Sequence, residues 1–169
     1  MTRLLHWKSV ASLALQVAVL AALVAAFFIR MPEVSGLSME PRIASGEFVL
    51  INTVAYRFGP PIRGDVVAFR HDTDGPVVYI KRVIGVPGDR VRVEGGAVYV
   101  NDRRLTEAYV RFPDNRSFST VTVPPRSLYV LGDNRVDSDD SRFWGFVSDD
   151  QVMGRAVAGI WPIGRAGAL

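Results

Sequence analysis

Of the 20 basic side chains in this 169-residue chain only Lys8 and Lys81 are lysines, and Lys81 sits inside the apolar run YIKRVIG of residues 79–85. Arginine fills every other basic position after residue 8. An amine can lose its proton inside a protein and a guanidinium cannot, so the exception points to a place that needs a neutral amine. Strand alternation puts Tyr79, Lys81 and Val83 on one face and Ile80, Arg82 and Ile84 on the other. One of the two charged neighbours therefore faces a side that folding can bury. If it is Lys81, desolvation lowers its pKa, and the free amine can take a proton from a hydroxyl. The candidate hydroxyl is Ser38 in SGLSMEP, where Gly36 allows close backbone approach and Pro41 limits the exit from the turn. Activated in this way, a serine becomes a nucleophile for acyl transfer. The plain alternatives are a turn serine at 38 and a solvent-facing strand lysine at 81.

Other chemistries lack their residues. There is no cysteine, which excludes disulfides, thiolate nucleophiles and cysteine-bound metal. The two histidines do not suit a triad: His6 precedes a long apolar run, and His71 lies in the polar stretch RHDTDGP, where solvation is expected. Asp133, Asp137, Asp139 and Asp140 form an acidic cluster without a calcium-loop glycine, interrupted by Arg135 and followed by Arg142. Arginine pairing is the better account of that cluster. No metal site and no cofactor are expected. Arg3, Lys8 and Arg30 carry the net surplus, which leaves 17 basic side chains against 17 acidic ones in the remainder. A nucleic-acid-binding face is not indicated.

Two kinds of element must hold Ser38 and Lys81. Residues 10–29, VASLALQVAVLAALVAAFFI, contain no charge and as a helix span about 30 Å, enough to cross a bilayer core. They are expected to form a transmembrane anchor after a short flank of residues 1–9. Arg3 and Lys8 before the span and Arg30 and Arg42 after it leave its orientation unset by charge. From residue 31 to 169 the pattern turns to short β-type runs: 48–56, 65–69, 77–85, 127–132 and 151–161. RVRVEGGAVYVN, residues 90–101, reads as a hairpin around Gly95-Gly96. Segments 59–64, 71–76 and 111–126 read as loops. The expected architecture is mostly β, a single antiparallel β domain on one N-terminal membrane helix.

Three stretches, in order, resemble the type I signal peptidases, the membrane-anchored serine peptidases that remove signal peptides from exported proteins. GLSMEP at 36–41 is similar to the family's serine box. RGDVVAF at 63–69 followed by YIKRVIGVPGD is similar to its lysine box, and GDNRVDSDDSRFWG at 132–145 to its C-terminal box. The resemblance implies an antiparallel β catalytic fold related to that of self-cleaving repressor peptidases. It implies a Ser-Lys dyad in which Ser38 is the nucleophile and Lys81 the general base. It further implies that Ser138 orients the amine and that Asp140 and Arg142 support the site. Gly36 stands where some members place a second oxyanion donor on a serine side chain, so that donor must come from elsewhere. Met39, Ile43, Tyr79 and Ile80 flank the dyad as walls of pockets for small side chains. The implied partners are signal-peptide-bearing preproteins and membrane lipid, with no nucleic acid and no obligate protein partner. The implied location is the inner or plasma membrane, single-pass, with the catalytic domain extracytoplasmic. A dedicated maturation peptidase of a conjugation or secretion system, and a non-catalytic anchored β module, are the alternative readings.

Overall fold

The computed structural model describes residues 2–71 and 77–169; within the N-terminal helix the side chains of residues 2–6, 8, 9 and 24–27 lie outside that description. The helix, α1 (Thr2–Phe28), runs 27 residues, and its described side chains from Val10 to Leu23 are all exposed. Among the described residues no helix is long and apolar enough to cross a membrane. Ile29, expected as the last residue of the span, already belongs to a strand, β1 (Ile29–Arg30).

The chain then gives β2 (Phe48–Asn52), β3 (Val66–Arg70), β4 (Val78–Gly85), β5 (Arg90–Glu94), β6 (Ala97–Val100) and β7 (Arg103–Arg104). After these come β8 (Phe118–Thr122), β9 (Ser127–Leu131), the short helix α2 (Ser141–Trp144), β10 (Val147–Ser148), β11 (Val152–Trp161) and β12 (Gly167–Ala168). The main sheet has the order β1-β2-β11-β3-β4-β9-β10, with β12 pairing β11, and the smaller sheet the order β7-β6-β5-β8. All of these strand pairs are antiparallel.

β-Branched residues make the central strands buried on both faces. Val66, Val67, Ala68 and Phe69 in β3 are all buried, and so is β4 from Ile80 onward. One face of the main sheet packs Met39, Ile43, Val49, Ile51 and Ala68; the other packs Val67, Phe69, Val83, Leu128 and Val130. Each of these side chains other than Ala68 contributes roughly 1.5–3 kcal/mol through removal from water. A third cluster, with Ile84, Val91, Val98, Val100 and Leu131, joins the end of β4 to the smaller sheet. The predicted hairpin forms in register, Val91 opposite Val100 and Val93 opposite Val98.

Three loop and strand expectations need correction. The run at 48–56 leaves the sheet after Asn52, where the Asn52 side chain caps the turn by accepting from Val54 N–H at 3.0 Å. The expected loop at 111–126 contains β8, which pairs with β5 through Val121 opposite Val91. His71 is not a solvated loop residue: it is half-buried, with its ring 4.9 Å from that of Trp144. The rest of the loop expected at 71–76 lies outside the described residues.

Candidate active site

Ser38 stands in a turn closed by hydrogen bonds from Glu40 N–H to the Leu37 carbonyl and from Ile43 N–H to the Met39 carbonyl, each 3.0 Å. Met39 and Ile43, both buried, pin this turn into the core. The Ser38 main chain is held from the opposite side by Asn134. Its N–H donates to the Ser38 carbonyl at 2.9 Å and its Nδ2 to the Leu37 carbonyl at 3.1 Å. Among the described residues no acceptor engages the Ser38 N–H.

Lys81 lies opposite Val67 in the β3–β4 ladder and is 3% exposed. Its Nζ is 2.6 Å from Ser38 Oγ, its one hydrogen-bond partner among the described residues. Burial lowers its pKa from 10.5 to about 8, against the pull of the Asp140, Asp139 and Asp137 carboxylates, which favour the ammonium. With that pKa about a tenth of the amines are neutral at pH 7. As an ammonium, Lys81 donates to Ser38 Oγ. Once neutral, the same contact lets the Ser38 O–H donate to the amine.

The two charged neighbours of β4 are not alternatives, for Arg82 is buried as well. Its Nε and Nη2 donate to the two Asp133 carboxylate oxygens at 2.8 and 2.7 Å and its Nη1 to the Gly64 carbonyl at 2.9 Å. The guanidinium also stacks 4.2 Å over the Tyr109 ring. Both faces of β4 are covered, so alternation placed Lys81 and Arg82 on opposite sides without exposing either.

Ser138 is buried beside the dyad, but its hydroxyl donates to Asp140 Oδ2 at 2.7 Å and not to Lys81. Asp140, fully buried, also accepts from Gly132 N–H at 3.0 Å and from Arg142 Nε at 2.7 Å, and it caps α2. Gly132 is where these parts meet. A Cβ there would lie 2.3 Å from Ser138 Oγ and 2.4 Å from the Ser38 carbonyl oxygen, so only glycine fits. Asp133 and Asp140 of the acidic cluster thus pair with arginines, whereas Asp137 and Asp139 are exposed.

The dyad opens onto a cleft of about 490 Å³, walled by Val34, Met39, Val78, Tyr79 and Ile80, with Gly36, Asp137 and Asp139 also on its lining. Ile43, expected as a wall, is not on it. The Met39–Ile43 turn sends that side chain down among Val49, Ile51 and Ala156 instead. Gly36 has φ +108°, which a serine side chain would strain although the space around it is open. A similar groove of about 440 Å³ beside Arg42, Arg111 and Arg165 does not reach the dyad. Sequence reasoning passed over Glu107, Tyr109 and Asp114, which contact the arginines behind the site. In the sequence they read only as polar and aromatic loop residues.

The family model described as "Signal peptidase, peptidase S26" matches residues 7–161. The signal peptidase I of Leptolyngbya laminosa is 40% identical over 140 residues, covering 78% of this chain and 68% of that protein. The signal peptidase I of Bacillus caldolyticus is 37% identical over 143 residues, covering 76% and 78%. A crystal structure of a signal peptidase I from Enterococcus faecalis V583 superposes with TM-score 0.50 and 36% identity, over 56% of this chain and 95% of that one. With its fold, its ordered boxes and these relatives agreeing, the chain belongs to the signal peptidase family, peptidase S26.

Proposed function

We propose that Ser38 and Lys81 form the dyad with which this enzyme, a peptidase of the signal-peptide-cleaving kind, cuts preproteins after small residues. The observation that carries the reading is the 2.6 Å contact between Ser38 Oγ and the amine of Lys81, a residue 3% exposed whose amine has no carboxylate bonded to it among the described residues. Neutral Lys81 takes the Ser38 proton as Oγ attacks the scissile carbonyl. The ammonium so formed passes that proton to the departing amine. Lys81, neutral again, deprotonates a water that releases the acyl group from Ser38. While the ammonium lasts, the nearby carboxylates of Asp140, Asp139 and Asp137 favour it, as their pull on the Lys81 pKa indicates. The free Ser38 N–H is the oxyanion donor supplied by the main chain.

The walls from Val34 to Ile80 accept an extended, apolar substrate segment, and Gly36 leaves room beside it. The α1 helix serves as the membrane anchor and sets the catalytic domain on the extracytoplasmic face. Support comes from the uncharged run of residues 10–29 and from the exposure of every side chain from Val10 to Leu23, a stretch with no described face packed on the domain. Sheet register supports a dyad near the bilayer surface. Ile29 pairs Asn52, Asn52 pairs Arg155, Arg155 pairs Val67, and Val67 pairs Lys81. Four strand steps, about 20 Å in all, connect the helix exit to the lysine along one row of the sheet. A substrate held in the same membrane then meets the dyad at raised effective concentration.

Purified protein in detergent or lipid, incubated with several exported preproteins, should release products whose new N-termini follow small residues. Ser38→Ala and Lys81→Ala should each abolish this while leaving the fold intact; turnover retained by either variant removes the dyad assignment. N-terminal sequencing across the set also separates a general peptidase from a dedicated one.

A further inference from the structure

The dyad is braced by a segment that neither the serine box nor the lysine box contains. Gly132 has no side chain, so its place beneath the Ser38 carbonyl and Ser138 is fixed by the hydrogen bonds on its own peptide groups. Its N–H donates to Asp140 Oδ2 at 3.0 Å, and its carbonyl accepts from Arg135 Nε at 2.9 Å. Asp140 is in turn held by Arg142. Each of these two buried arginines is gripped by a carboxylate from the connection between β7 and β8. Glu107 accepts from Arg135 Nη2 at 2.5 Å and from Nη1 at 3.3 Å, and Asp114 accepts from Arg142 Nη1 at 2.6 Å. The Arg135 and Arg142 side chains are 3% and 1% exposed, and Glu107 and Asp114 only 11% and 8%. The same connection supplies the Phe112 carbonyl, which accepts from Arg135 N–H at 3.0 Å, and the Tyr109 ring under Arg82.

We infer that Glu107 and Asp114 are positioning residues for the dyad, acting through Arg135 and Arg142 to clamp the peptide groups on both sides of Gly132, against which the Ser38 main chain rests. The inference rests on the Ser38–Lys81 reading. Neither carboxylate touches the reacting atoms; they set where Gly132, and the neighbouring Asn134 that holds the Ser38 carbonyl, can sit. A misplacement of about 1 Å between nucleophile and base is enough to cost on the order of 100-fold in rate. Two charge-assisted clamps, one on each peptide group flanking Gly132, are a means of preventing it. By this account the smaller sheet is the support from which the catalytic turn is held, in addition to being a packing partner.

The test is single-turnover cleavage of one preprotein by the full chain in detergent micelles at saturating enzyme, with Ser38→Ala as the blank. Glu107→Gln and Asp114→Asn should each lower the rate constant about tenfold, with KM from a separate steady-state series changed less than about twofold, and Asp114→Glu should recover most of the loss. Asp102→Asn breaks the exposed Arg90–Asp102 pair of the same small sheet and should leave the rate unchanged. Rate constants within twofold of wild type in folded Glu107→Gln and Asp114→Asn overturn the inference, as does an equal loss in Asp102→Asn. Should Asp114→Asn not fold, Glu107→Gln decides alone. Cleavage that survives in Ser38→Ala would instead remove the dyad reading, and this inference with it.

Discussion

Lys81 and Arg82 are consecutive, cationic and buried, yet the two sides of β4 treat them in opposite ways. On the Arg82 side the charge is answered in full: two bonds to Asp133, one to the Gly64 carbonyl, and an aromatic face. Its pKa is raised despite burial. On the Lys81 side burial is as deep, but the bonded partner is a hydroxyl, the carboxylates act only from a distance, and the pKa falls to about 8. A strand can therefore carry one cation as structure and the next as a reagent. The outcome depends on whether a carboxylate is within bonding reach.

The largest effect that could break this comparison is on activity. Lys81→Arg keeps a positive charge and loses the removable proton, so kcat should fall by at least about 10⁴-fold, measured on a preprotein substrate. An active arginine variant would show that the position needs charge and not a base. Next comes a difference in the sign of stability. Asp133→Asn strands the buried Arg82 charge and should lower unfolding free energy by about 3 kcal/mol in a urea titration.

Lys81→Met should do the reverse and raise stability at pH 7 by about 1–2 kcal/mol while abolishing activity. The direction follows from linkage. Between pH 8 and 10.5 the unfolded lysine binds more protons than the folded one, so wild-type stability rises with pH across that window. Below pH 8 the buried amine must be charged, and the full cost is present. Lys81→Met removes the cost, so its advantage over wild type should shrink as pH climbs from 8 toward 10.5. A smaller effect is expected from Asp139→Asn, which removes a carboxylate that favours the ammonium and should move the acid limb of kcat/KM to lower pH.

The sequence carried unequal amounts of information about the two sides of β4. A lone lysine among arginines marked position 81, and period-two alternation correctly put Lys81 and Arg82 on opposite faces. It could not tell that both faces are covered, because burial of Arg82 depends on Asp133, 51 positions away. The strands with β-branched runs were legible for the same local reason. β8, with Ser119, Thr120 and Thr122 exposed, reads as loop because its pairing with β5 supplies what its composition does not. Ile43 looked like a pocket wall from its closeness to Ser38 in the chain, but the turn closed by its N–H on the Met39 carbonyl carries it into the core. Glu107 and Asp114 resemble solvated loop acids until the smaller sheet folds against the arginines of the C-terminal box.

Everything in the proposed chemistry turns on the Lys81 amine working in its neutral form. The direct measurement is the pH dependence of kcat/KM on a substrate that does not itself titrate between pH 5 and 10. A base of this kind gives an acid limb with a midpoint near 8, and a plateau above it. Activity undiminished down to pH 6 would contradict it.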